Sequence, residues 1–330
     1  MSNPMLRFLS ADDVRRALPM AEAVEAMKRA FVTLSAGEAV VPMRAHLALE
    51  EPSGDALVMP AYVPADGRLG VKIVTLVPAN REAGRPMLQA LVVLVDATTG
   101  SPLAVMDGTT VTAIRTGAGS GAATALLARP DADTAAVIGA GVQGRTQLEA
   151  VCAVRPIRRA RVFDRDASAA DAFAREMGER LGITVEAAAS ASEALSGAAV
   201  VCTATTASEP VFDDADVAPG THLNAVGAYQ PPAREIPAAT VCRARVVVDQ
   251  REAALEEAGD LVVPIQDGLI TADHIAAEIG EVVAGTQPGR QDADEITFFK
   301  SVGVAVQDVA AAEAALAGAR RLGLGTDVAL

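Results

Sequence analysis

Residues 134–151 read TAAVIGAGVQGRTQLEAV. A short apolar run at 135–138 leads into Gly139-x-Gly141-x-x-Gly144, and a helical pattern follows at once. An Ala/Gly-rich turn can show such spacing without binding anything. Here, however, the strand before it and the helix after it complete a dinucleotide-binding fingerprint. The first glycine permits a tight turn, the second lets backbone amides approach a pyrophosphate, and the third lets helix and strand pack closely. The phosphates then rest on a helix N-terminus, where unpaired N–H groups and the macrodipole favour negative charge. Val142 and Gln143 lie in the same turn and join the three glycines as cofactor contacts. Asp164 ends the next apolar run, twenty residues after Gly144, where a carboxylate meets the ribose hydroxyls. It would repel a 2′-phosphate, whereas Arg165 beside it could accept one. The pair therefore favours NAD(H) and tolerates NADP(H).

Outward from this stretch, the rhythm set at about residue 120 continues. Strand-like runs at 135–138, 160–164, 183–187, 199–203, 221–226 and 245–249 alternate with Ala-rich helical segments. Short apolar runs with intervening helices predict a Rossmann-type, doubly wound parallel sheet. Cys202, Thr203, Ala204 and Thr205 after the fourth run, and Val226 and Gly227 after the fifth, are expected at its crevice. The N-terminal part differs. It is read as opening with a helix that has Pro19 at its first position, carries Met20, Val24, Met27, Phe31 and Leu34 at helical spacing, and stops at Gly37. Strand-like runs at 44–49, 56–59, 69–77 and 88–95 follow, separated by turns, as in an antiparallel sheet. A final helix is expected over 301–321, with Lys300 at its start. The predicted fold is α/β: a Rossmann domain over 121–300, plus an α+β domain of 1–120 completed by 301–330.

The 330 residues exceed what one core usually organises, and 51% hydrophobic with 21% charged residues is a globular composition. Twenty-eight basic against 42 acidic residues leave a net charge of −14, which excludes a general footprint for nucleic acid or anionic lipid. Three cysteines (152, 202 and 242) and three histidines (46, 222 and 274) form no metal-ligand spacing and no disulfide framework, so no metal and a reduced, cytoplasmic setting are expected. His46 and His222 read as packing or surface residues. No apolar run is long enough to span a bilayer.

Only three basic residues are lysines, and Lys72 sits inside the apolar run GVKIVTLV. It either points to solvent from an edge strand or is held in a polar pocket. Arg115, in TVTAIRTGAGSGAAT, lies near a helix start, a poor place for a cation without an anionic partner. Arg44, in VPMRAHLAL, precedes a strand. Three cations converging on one point would bind a carboxylate, Arg as a bidentate fork and Lys as a compact charge. Thr116, next to Arg115, and Ser301, next to Lys300, are read as cofactor contacts.

Taken together, VPMRAHL, ALVMPAY, LGVKIVTLVPAN, TAIRTGAGSGAAT, VIGAGVQGRTQLEA, THLNAVGAYQP, VVVDQREAALEEAGDL and ITFFKSVGVAVQD resemble the ornithine cyclodeaminase/mu-crystallin family, in family order and over nearly the whole chain. The resemblance implies a homodimer built through the N-terminal domain, NAD(H) or NADP(H) on the Rossmann domain, and a small imino- or amino-acid substrate. It also implies that Arg44, Lys72 and Arg115 are the catalytic clamp on the substrate carboxylate. The family's cyclodeaminases carry an Asp just after the NAVG-type strand end and another acid before the Met-Pro pair. Here Asn224-Ala-Val-Gly227-Ala-Tyr229-Gln230-Pro offers no carboxylate before Glu235, and Ala56, Leu57 and Val58 precede Met59-Pro60. Cyclodeamination needs acid–base steps beyond one hydride transfer. The resemblance therefore points to an imine reductase that turns 1-pyrroline-2-carboxylate or 1-piperideine-2-carboxylate into L-proline or L-pipecolate, with Lys72 relaying the proton. The alternatives are an ornithine cyclodeaminase, an alanine dehydrogenase-type amino-acid dehydrogenase, and a non-catalytic, crystallin-like binding protein.

Overall fold

The computed structural model describes residues 5–51, 53–81 and 83–329. The chain divides into two compact units, Met1–Arg115 with Val304–Leu330, and Thr116–Gly303. The helix Gly108–Leu127 runs unbroken from one unit into the other, its residues 110–124 all buried. Burial on every side explains its small and apolar composition. A boundary near residue 120 would fall inside this helix.

The first unit holds β1 (Met5–Leu9), β2 (Ala45–Leu49), β3 (Gly54–Val63), β4 (Arg68–Leu76), β5 (Leu88–Asp96) and β6 (Pro102–Asp107). With the terminal strand Thr326–Ala329 they form a seven-stranded sheet in which β1 follows that strand, and then β6, β5, β4, β3 and β2. The pairs are antiparallel except β1 with β6. On β4 the side-chain alternation is clear: Gly70, Lys72 and Val74 are buried while Ile73 faces out. The inner face lies under the helix Ala305–Leu322, so closely that a Cβ on Gly70 would stand 2.7 Å from Val309 Cγ2. The helix Met20–Ser35 buries Met20, Val24, Met27, Phe31 and Leu34 as its spacing predicts, each side chain contributing roughly 1.5–3 kcal/mol.

The start of the chain is a correction. The strand β1 and the helix Ala11–Ala17 precede the helix expected to come first, and Pro19 is its N-cap rather than its first helical residue. The early helix rests on a capping box: Asp13 N–H donates to Ser10 Oγ (3.2 Å) and Ser10 N–H to Asp13 Oδ2 (3.0 Å). The strand β6 was likewise not anticipated. Runs of five or six residues carry too little periodicity to declare themselves.

The second unit holds β7 (Thr134–Ile138), β8 (Arg159–Phe163), β9 (Thr184–Ala187), β10 (Val200–Thr203), β11 (His222–Ala225), β12 (Arg245–Val248), β13 (Ile275–Glu278) and β14 (Thr297–Lys300). Their order is β13-β12-β14-β11-β10-β7-β8-β9, with every pair parallel. Strand order reverses at β7, so the ligand crevice of a doubly wound sheet lies outside the carboxyl ends of β7 and β10. Two strands, β13 and β14, had no clear sequence signal. Lys300 ends β14 instead of opening a helix, and the helix begins only at Ala305. No helix among the described residues is long and apolar enough to cross a membrane.

Candidate active site

The glycine loop behaves as its spacing predicts. Gly139 has φ 105°, and a Cβ there would stand 2.6 Å from the Ala204 carbonyl oxygen. A Cβ on Gly144 would come within 2.1 Å of Gly139 O. Gly141 is different: among the described residues, nothing lies within 4 Å of a Cβ placed on it. It is the N-cap of the helix Val142–Val154 and gives that helix no side-chain cap. Val142 is exposed and Gln143 half-buried. Open space over uncapped amides suits a pyrophosphate. At the end of β10 the buried Thr203 hydroxyl has no hydrogen-bond partner among the described residues. These features fit a nicotinamide dinucleotide.

Asp164 turns toward this loop. Its Oδ2 accepts from Ala140 N–H (2.8 Å) and its Oδ1 from Asp166 N–H (3.0 Å), while Arg165 is exposed. The sequence reading passed over Arg145. Its guanidinium donates to the Ala140 and Gly141 carbonyls and pairs with Glu176 at 2.8 Å, bracing the loop from behind. An arginine directly after the third glycine was the available signal.

The loops beyond β10 and β11 are tied by a buried network that was not anticipated. Thr205 donates to Glu235 Oε1 through both its N–H (2.7 Å) and its hydroxyl (2.8 Å), and Gly227 N–H donates to Glu235 Oε2 (2.7 Å). Asp260 Oδ1 accepts from the N–H groups of Glu235 and Ile236, and Lys300 Nζ donates to Asp260 Oδ2 at 2.7 Å. Glu235, Asp260 and Lys300 are all fully buried. Burial first, and Asp260 second, push the Glu235 carboxyl above its ordinary range, against the pull of Lys300 and the Thr205 donors. Ala204 and Val226 complete these strand ends, each with its N–H bonded to the neighbouring strand.

Ser301 and Thr116 are engaged within the protein. Ser301 Oγ donates to Asp249 Oδ2 (2.8 Å), an oxygen that also takes the N–H groups of Val302 and Gly303. The Thr116 carbonyl accepts from Gln147 Nε2 (3.3 Å). His222 is buried between Thr297 and Asn224, and burial pushes it down to about 3, so it packs as a neutral ring.

In the first unit, Lys72 lies on the central strand β4, between Met59 and Val92, and is 2% exposed. The edge-strand alternative is thereby excluded. Its Nζ stands 2.7 Å from Asp308 Oδ2, and Arg115 Nε donates to Asp308 Oδ1 at 3.0 Å. Arg115 also donates to Gln307 Oε1 (3.3 Å), so the anionic partner that its position demanded comes from the helix Ala305–Leu322. Burial, followed by the Arg115 charge, pulls Lys72 down to about 7, with Arg44 adding to the effect and Asp308 opposing it. Burial alone would raise Asp308, but Lys72 and Arg115 outweigh it and hold the carboxyl below its usual range. Two cations, Lys72 and Arg115, thus share the Asp308 carboxylate, and the Arg44 charge reaches Lys72. Gln307 and Asp308 had one sequence signal, two polar residues in an otherwise apolar helix face.

The comparisons with known proteins agree with one another. A family model for the ornithine cyclodeaminase/mu-crystallin family matches residues 5–318. A Delta(1)-pyrroline-2-carboxylate reductase of Bacillus cereus is 41% identical over 306 residues, 92% of this chain and 94% of that protein. The structure of the Thermococcus litoralis Delta(1)-pyrroline-2-carboxylate reductase, in complex with NADH and L-proline, matches with a TM-score of 0.94 and 44% identity, covering 98% of this chain and 100% of that one. An archaeal alanine dehydrogenase dimer with bound NAD matches with a TM-score of 0.91 and 36% identity, covering 98% and 99%.

Proposed function

Since the chain belongs to the ornithine cyclodeaminase/mu-crystallin family, we propose that it is a nicotinamide-dependent reductase of a cyclic ketimine carboxylate, 1-pyrroline-2-carboxylate foremost, which it turns into L-proline. The observation that carries this reading is the buried Lys72, which shares the single Asp308 carboxylate with Arg115 and feels the Arg44 charge. Positive charge in excess of the one carboxylate attracts an anionic substrate into a region of low dielectric, where the attraction is strong.

When bound, the cofactor supplies a hydride to the imine carbon. Arg115 and Arg44 hold the substrate carboxylate, and positioning of this kind provides much of the acceleration. Lys72 gives a proton from Nζ to the imine nitrogen, for which a group titrating near neutrality is well matched. Asp308 keeps Lys72 and Arg115 in place. The imine thus gains a hydride on carbon and a proton on nitrogen, and no group leaves. Glu235, the first carboxylate after Gly227, already accepts three hydrogen bonds, which favours a reductase over a cyclodeaminase. Asp164, beside the glycine loop, favours NADH over NADPH.

The first unit supplies the substrate contacts and also a dimer face. Ile73 and Leu91 are register partners on the outer side of β4 and β5, 47% and 53% exposed, and Leu47 is exposed on the same side of β2. A homodimer covers this apolar face, and sedimentation of Ile73→Asp is expected to show monomers. Its three free thiols suit a cytoplasmic enzyme.

The decisive assay follows NADH oxidation with 1-pyrroline-2-carboxylate and then 1-piperideine-2-carboxylate. Turnover of either one supports the reading. No turnover with both, together with ammonia release from L-ornithine, overturns it.

A further inference from the structure

We propose that the buried Glu235–Asp260–Lys300 cluster is an electrostatic and positioning element that makes the crevice favour oxidised, cationic nicotinamide over the neutral reduced form. The inference rests on the nicotinamide reading above and concerns residues that the reaction itself does not use.

Charge comes first. With both carboxylates ionised, two carboxylates and one ammonium, all fully buried, leave one negative charge in excess. The charged groups facing Glu235 are Asp260 and Lys300. Lys300 is turned to Asp260 at 2.7 Å, so the excess resides on the Glu235 side, against Thr205 and Gly227.

Placement follows from the fold. Thr205 and Gly227 directly follow the carboxyl ends of β10 and β11. The glycine loop and Asp164, on β7 and β8, take the adenosine side of a dinucleotide, so the nicotinamide side falls over β10 and β11. The loops after β7 and β10 meet closely: a Cβ on Gly139 would stand 2.6 Å from the carbonyl oxygen of Ala204, the residue before Thr205. A fixed negative charge there complements the positive charge that develops as hydride leaves toward the substrate. The thirteen-residue helix Val142–Val154 puts its positive end at the phosphates, not at this end of the crevice.

The test is calorimetric and needs no turnover. Dissociation constants for NAD+ and NADH are measured at alkaline pH, where the carboxylates are ionised, for the wild type, for Glu235→Gln and for Asp260→Asn. Each substitution removes the excess charge. In both variants NAD+ should bind about tenfold more weakly while NADH changes by less than about threefold, the size expected for one unit charge several ångströms away. In the wild type, acidification that protonates the cluster should likewise weaken NAD+ more than NADH, a readout that survives if neither variant folds. Parallel weakening of both nucleotides, which a purely structural role would give, or an unchanged ratio, overturns the inference. A wild type that binds neither nucleotide overturns the nicotinamide reading itself.

Discussion

The two units each bury a Lys–Asp pair at 2.7 Å, Lys72 with Asp308 and Lys300 with Asp260. The pairs are alike in distance and burial and opposite in what surrounds them. Around Lys300 the excess charge is negative, and five N–H or O–H donors of the chain itself, from Thr205, Gly227, Glu235 and Ile236, already satisfy the two carboxylates. Around Lys72 the excess is positive, because Arg115 shares the same Asp308 carboxylate. Carboxylates whose hydrogen bonds are already met by the protein's own donors can act on a ligand only as a fixed charge at a distance. Two cations that share one carboxylate leave positive charge for a ligand to meet directly. Burial of an ion pair says little by itself about stability or function; the balance of charge around it carries the information.

The strongest test of this contrast is Lys72→Met. Loss of the proton donor and of one carboxylate contact should lower kcat/KM by about three orders of magnitude, while NADH affinity stays within about twofold. Steady-state kinetics with fluorescence titration of NADH checks this, and an equal loss of both would make Lys72 a structural residue.

Lys300→Met should do the reverse. It leaves Asp260 buried beside Glu235 without its cation, which costs about 3–5 kcal/mol of stability, read from chemical denaturation. A variant that keeps its stability but loses activity would break the comparison from the other side.

The smallest effect sharpens it. Lys72 titrates near 7 because burial and Arg115 lower it while Asp308 raises it. A protonated donor is active below that pKa, so kcat/KM should be level at acid pH and fall as pH rises through about 7. Asp308→Asn removes the raising influence, so the fall should begin at lower pH, by about one unit. A pH–rate profile that does not move would remove Asp308 from the tuning of Lys72.

The sequence anticipated these two lysines unequally, and the reason is local contrast. Lys72 stood out because a cation inside GVKIVTLV contradicts its surroundings. Lys300 stood in the same kind of contrast, beside two phenylalanines, yet a four-residue strand was too short to be told from a helix start. Asp308 ends the segment ITFFKSVGVAVQD with nothing near it in sequence to mark its role. Its partner Arg115 is 193 residues away, and no periodicity connects positions so distant.

By itself the sequence determined what local order can encode: the Gly139–Gly144 turn with its strand and helix, the alternating αβ rhythm that makes a parallel sheet, and an acidic overall charge. Each depends on neighbours within a few turns of chain, where backbone sterics and hydrophobic period act directly. The tertiary structure alone decided which charges face which. It placed Lys72 on a central strand, drew Asp308 from a distant helix to Lys72 and Arg115, and enclosed Glu235, Asp260 and Lys300 together. Electrostatics acts through space, and in a low-dielectric interior a few ångströms decide the protonation and role of a group that the linear order leaves open.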